Sequence, residues 1–71
     1  MILKVAGEGP GAFRLIEAAD VQFGHGDGFS FADVRLANGL VDRVLVRGTA
    51  YVLNAGGDTI EKFSERQERK G

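Results

Sequence analysis

Eleven glycines and a single proline cut this 71-residue chain into short runs. Short runs of this kind suit strands. Val, Ile, Phe, Tyr and Thr are concentrated in them, as a half-buried pleated surface requires. Seven strands are therefore expected, over residues 2–6, 12–16, 20–23, 29–37, 40–47, 49–54 and 59–63. Asn38-Gly39 is a hairpin signal, because both residue types tolerate positive φ. Gly7 to Gly11 and Ala55 to Asp58 read as turns, and Gly24-His25-Gly26-Asp27-Gly28 as a glycine-rich loop. The regular spacing predicts an all-β, sandwich-like packing of antiparallel strands. For the last run, the alternative is a helix starting near Asp58 with Glu61 as its capping partner.

The chain is short enough to be a single domain. Residues 1–63 form the β-rich unit, and residues 64–71 a charged tail expected to be frayed. Hydrophobic residues make up 44%, which favours a folded chain over a disordered one. Below roughly 70–80 residues, however, one core rarely supplies more than about 3–5 kcal/mol. Small folds then lean on disulfides, a structural metal or subunit contacts. The chain has no cysteine and one histidine, His25, so disulfides, thiolate sites and multi-histidine sites are excluded. Oligomerisation remains, and it would also cover the open sheet edges that seven short strands leave.

No apolar stretch approaches the roughly 20 residues of a membrane-spanning helix. The N-terminus lacks a signal-peptide pattern, and the lack of cysteine suits a cytoplasmic setting. The net charge of −1 gives no global attraction for nucleic acid, so any such site must be a local basic feature.

Enzyme chemistry is not expected. A nucleophile needs a base in reach, and His25 is the only conventional one. Ser30 and Ser64 have no assignable partner in the sequence. Gly24-x-Gly26-x-Gly28 lacks the spacing and following helix of a dinucleotide fingerprint. The run Asp42-Arg43-Val44-Leu45-Val46-Arg47 carries more information. Period two places Arg43, Leu45 and Arg47 on one face and Val44 and Val46 on the other. That face is either a solvated strand surface or a short basic rim for an anion or RNA.

Two segments resemble the trp RNA-binding attenuation protein family, bacterial rings that bind RNA when loaded with tryptophan. Val46-Arg47-Gly48-Thr49-Ala50-Tyr51-Val52 looks like the family's Val-Arg-Gly-x-Ala segment. Ala19-Asp20-Val21-Gln22-Phe23-Gly24-His25 is similar to its Ala-Asp-x-x-Phe-x-His. The resemblance implies strands shared between subunits in a closed homo-oligomeric ring of roughly eleven protomers, a head-to-tail arrangement that closes when the rotation divides the circle. It implies single-stranded RNA wrapped on the outer rim, with regulation of transcription or translation as the outcome. Phe23 falls at the base-stacking position, Asp27 at the guanine-reading acid and Arg47 at the arginine. Gly28 and Leu45 replace the two lysines of the pattern, and Arg43 is a partial substitute. At the tryptophan pocket the matching residues are Ile16, Ala18, Leu36 and Asn38. Their apolar members remove hydrogen-bond partners that the ligand's charges would need.

Two rival readings stand beside this one. The first is a structural or ligand-binding ring without RNA recognition, favoured by the missing lysines and the acidic balance. The second is an Sm-like RNA-binding ring, suggested by Val34-Arg35-Leu36-Ala37-Asn38-Gly39.

Overall fold

A computed structural model describes residues 1–65. Of the expected tail, residues 64–71, Ser64 instead ends the last strand and Glu65 is hydrogen-bonded to Gly48, while residues 66–71 lie outside the described residues. Seven strands appear in chain order: β1 Ile2–Ala6, β2 Phe13–Glu17, β3 Asp20–His25, β4 Ser30–Arg35, β5 Val41–Leu45, β6 Thr49–Leu53 and β7 Thr59–Ser64. They form two antiparallel sheets, one of four strands in the order β2-β1-β6-β7 and one of three in the order β3-β4-β5. The chain is all-β, as expected, and the alternative helix near Asp58 is replaced by β7. A β-bulge between Val52 and Leu53 sets the β6–β7 register there.

Strict alternation drives the two sheets together. Leu3 and Val5 of β1, Ala50 and Val52 of β6, and Ala32 and Val34 of β4 are all buried. Val21 of β3 and Val46, just past β5, complete this face of the core. Ile16, Phe23, Leu36, Val44 and Phe63 pack against it. The fully buried side chains are modest in size, with Leu3, Val5, Val34 and Val52 the largest. A core of one leucine and three valines at its centre contributes only about 1.5–3 kcal/mol per side chain.

Two hairpins use the same turn. The Leu36 amide donates to the Leu40 carbonyl and the Gly39 amide to the Leu36 carbonyl. The Asn54 amide likewise donates to the Asp58 carbonyl and the Gly57 amide to the Asn54 carbonyl. In each, the glycine sits at φ 88°, the left-handed region that closes a three-residue hairpin loop. At Asn38-Gly39 only the glycine takes positive φ. Asn38 contributes through its side chain, whose Oδ1 accepts from the Leu40 amide at 3.0 Å.

The region read as a glycine loop begins as strand, and only its Gly26-Asp27-Gly28 lies outside β3 and β4. β3 continues through Gly24 and His25, which pair with Phe31 and Ser30 of β4. The turn is confined to Asp27-Gly28, bracketed by a hydrogen bond from the Gly26 amide to the Phe29 carbonyl. Gly28 has φ 82°. Glycine is a poor strand residue, and here the rings opposite it compensate.

Candidate nucleic-acid interface

The ends of β3, β5 and β7 and the starts of β4 and β6 meet at one end of the sandwich. The Val46 amide donates to the Ser30 carbonyl, tying the β5–β6 link to the start of β4. The Gly48 amide donates to Glu65 Oε1 at 2.9 Å, and the Glu65 amide donates back to the Gly48 carbonyl. Phe63 stacks on Phe23 at 4.5 Å between centroids and on His25 at 4.9 Å, bringing β7 against β3. Phe23, Asp27 and Arg47 therefore share this end of the molecule.

They do not share a face. Phe23 points inward with Val21, half-buried and lying parallel to Phe63. One of its faces is already occupied by a protein ring, so it is not an open platform. Asp27 is exposed in the β3–β4 turn. Arg47 is exposed just beyond β5 and lines an open cleft of about 380 Å³ with Arg14, Glu8 and Leu45. Two guanidiniums and one carboxylate in that cleft favour an anion.

Arg43 does point outward, on the face that the alternation assigned to it. It is not an uncommitted cation. Its Nε donates to Asp33 Oδ1 at 2.8 Å and its Nη2 to Asp33 Oδ2 at 3.0 Å, a bidentate cross-strand pair. The Arg43 hydrogen bonds hold the Asp33 carboxyl below its ordinary value, and the Asp33 carboxylate raises the guanidinium above its own. The Arg43 guanidinium carbon also lies 3.9 Å from the centroid of Phe31.

Phe29 and Phe31 are the residues that sequence reasoning missed. Phe29 is 40% exposed and its ring lies 5.8 Å from that of Phe31. Both rings lie against glycine. A Cβ on Gly24 would come within 2.6 Å of Phe31, and one on Gly26 within 2.2 Å of Phe29. The signal was present as Gly24-x-Gly26 and Phe29-x-Phe31, mirrored across Asp27-Gly28. Reading that dipeptide as the hairpin turn would have paired them.

The residues matched to the tryptophan pocket lie at the opposite end. Ile16 and Leu36 are half-buried against the core, and Ala18 is buried. Asn38 is exposed and engaged in its turn. Of the four, only Ala18 lines the open cleft found there, about 390 Å³ in volume, with Ala19, Ala37, Ala55 and Glu17 among its other walls. The alanine walls offer shape but few side-chain hydrogen-bond partners for an amino acid.

Ser30, unassigned from sequence, has His25: Nδ1 and the hydroxyl oxygen lie 2.8 Å apart. The serine is 3% exposed, so the pair holds the end of the β3–β4 hairpin rather than presenting a nucleophile. Ser64 faces Thr49, with their hydroxyl oxygens 3.3 Å apart. Among the described residues, no three His, Asp or Glu side chains converge as metal ligands, and no helix is long and apolar enough to cross a membrane.

No known protein family, curated protein or solved structure matches this chain.

Proposed function

We propose that this chain assembles through its sheet edges into a closed homo-oligomeric ring, and that the loop end described above forms a repeated site for single-stranded RNA. The observation that carries the reading is the character of the edges. β2 and β5 are both edge strands, and Phe13, Leu15, Val41 and Leu45 on them are 53–66% exposed. An edge that offers both unpaired backbone groups and large apolar side chains invites a partner strand. Joining the four-stranded sheet of one subunit to the three-stranded sheet of the next would give a continuous sheet of seven strands. It would also supply the apolar burial that the small core lacks.

RNA enters through the resemblance to the attenuation proteins, supported by Arg14 and Arg47 in one cleft. A ring would repeat each weak site and raise the effective concentration of the next segment of one strand. Filter binding with guanine-rich single-stranded RNA, with and without tryptophan, tests this. Affinity that falls steeply as salt rises is expected. The absence of binding at low salt under both conditions overturns the RNA reading and leaves the ring.

The second reading is a ring without RNA recognition. The neutralisation of Arg43 by Asp33 favours it, because it removes the cation that would replace a missing lysine. It predicts an intact ring by native mass measurement and no salt-dependent RNA affinity. A six- or seven-fold ring would instead favour the Sm-like alternative.

A further inference from the structure

We infer that Phe29 and the Arg43–Phe31 stack form a platform on which unpaired nucleobases lie flat. This rests on the RNA reading above, and relocates its stacking site from the inward Phe23 to the outer face of the three-stranded sheet.

Three observations converge on that face. Phe29 is a large aromatic side chain, 40% exposed, at a turn where nothing in the hydrophobic core holds it. Gly26 lets its ring lie close to the backbone, and Gly24 does the same for Phe31. Arg43 is pinned flat by two hydrogen bonds to Asp33 while one face of its guanidinium meets Phe31. Its side chain is still 54% exposed. A planar cation fixed in this way loses little freedom when a base stacks on it. Aromatic rings and guanidinium planes are the surfaces on which splayed-out RNA bases stack. The role also explains why Arg43 can serve a nucleic acid although its charge is paired: it would act through its plane.

The surroundings suit a single strand. Leu45 pairs with Phe31 across β4 and β5, so the edge at which a neighbour would join bounds this surface on one side. Arg47 follows Leu45 beyond the strand end, placed for a phosphate. Asp27 stands two residues before Phe29, with its acceptor oxygens available to the hydrogen-bonding edge of a base.

The test is binding of the full chain to a guanine-rich single-stranded RNA carrying 2-aminopurine, read both as affinity and as quenching of the fluorescent base on stacking. Phe29→Leu keeps an apolar side chain over Gly26 but removes the π face. It should weaken binding about tenfold and abolish quenching, with the salt dependence of binding unchanged. Phe29→Tyr should bind and quench as the parent does. Arg43→Lys keeps the charge and loses the plane, so it should also weaken binding with an unchanged salt dependence. Parent-level binding and quenching by Phe29→Leu and Arg43→Lys overturn the platform while the RNA reading survives. Failure of the parent chain to bind RNA at low salt overturns both.

Discussion

The outer faces of the two sheets are built on the same alternation and end up with different chemistry. On the four-stranded sheet, Leu15, Lys4, Tyr51 and Lys62 lie in one cross-strand row. Phe13, Ile2 and Leu53 flank it on the same face, with Lys4 Nζ 4.3 Å from the Phe13 centroid. On the three-stranded sheet the corresponding rows are Gln22, Asp33 and Arg43, and Asp20, Arg35 and Val41. There the charges pair across strands, closely for Arg43–Asp33 and loosely, at 4.0 Å, for Arg35–Asp20. Both faces leave large apolar side chains uncovered at one edge, Phe13 and Leu15 on β2 and Val41 and Leu45 on β5. Inside that edge the three-stranded sheet pairs its charges across strands, whereas the four-stranded sheet sets lysines among apolar side chains. The difference teaches that the apolar exposure belongs to the edges of the lone chain, which neighbours are expected to cover, and the paired charges to a face that suits water or a polar ligand.

The largest effect should come from comparing two leucines. Leu3 is fully buried, and Leu3→Ala should cost about 2–5 kcal/mol in any state of assembly. Leu15 is 66% exposed in the single chain, where Leu15→Ala should cost within about 0.5 kcal/mol. In an assembled ring, Leu15→Ala should lower the melting temperature clearly more than that, and Leu15→Asp should break the assembly. Denaturant unfolding with native mass measurement reads both. A Leu15→Asp variant that assembles like the parent would dissolve the contrast between edge and face.

On the polar face, Gly24→Val probes the seat of Phe31. Its Cβ would meet the ring at 2.6 Å, so the ring must lift and drag the Arg43 stack with it. The ring's far end can turn aside and valine suits a strand better than glycine, so a loss of at most about 1 kcal/mol is expected by thermal unfolding. An unchanged melting temperature would show that the ring moves freely.

The smallest effect concerns pH. The Arg43 hydrogen bonds depress Asp33 below its ordinary value of 3.8 in the folded state, so the unfolded chain takes up the proton first as pH falls. The stabilisation is therefore complete above that ordinary value and disappears as pH drops through the folded value. Exposure screens the pair, so the acid-limb slope should be slight. Asp33→Asn should flatten it further. An identical acid titration of stability in parent and variant would remove the pair from the list of stabilising contacts.

Much of the architecture was legible because period-two patterning is unambiguous where valine and leucine alternate with polar residues. β1 has the expected bounds, and β6 begins where Gly48 ends the preceding segment. The error at β3 came from reading Gly24 by intrinsic propensity alone. The cross-strand phenylalanine that makes glycine acceptable there is a tertiary fact. Phe23 has two readings, a core strand residue by its alternation with Val21 and a rim residue by the family resemblance, and its packing against Phe63 agrees with the first. Arg43 was put on the correct face, but its capture by Asp33 depends on the β4–β5 register, which the sequence leaves open by a residue or two. The pairing of Ser30 with His25 depends likewise on the length of the Asp27-Gly28 turn.

Sedimentation velocity over a dilution series, with circular dichroism on the same samples, tests directly whether this small core needs neighbours. A closed ring should persist as one large species, and strand signal should be lost together with the ring when dilution or denaturant finally disperses it. A compact, folded, heat-resistant species of 7.6 kDa at low concentration would contradict the assembly and every role assigned to its surface.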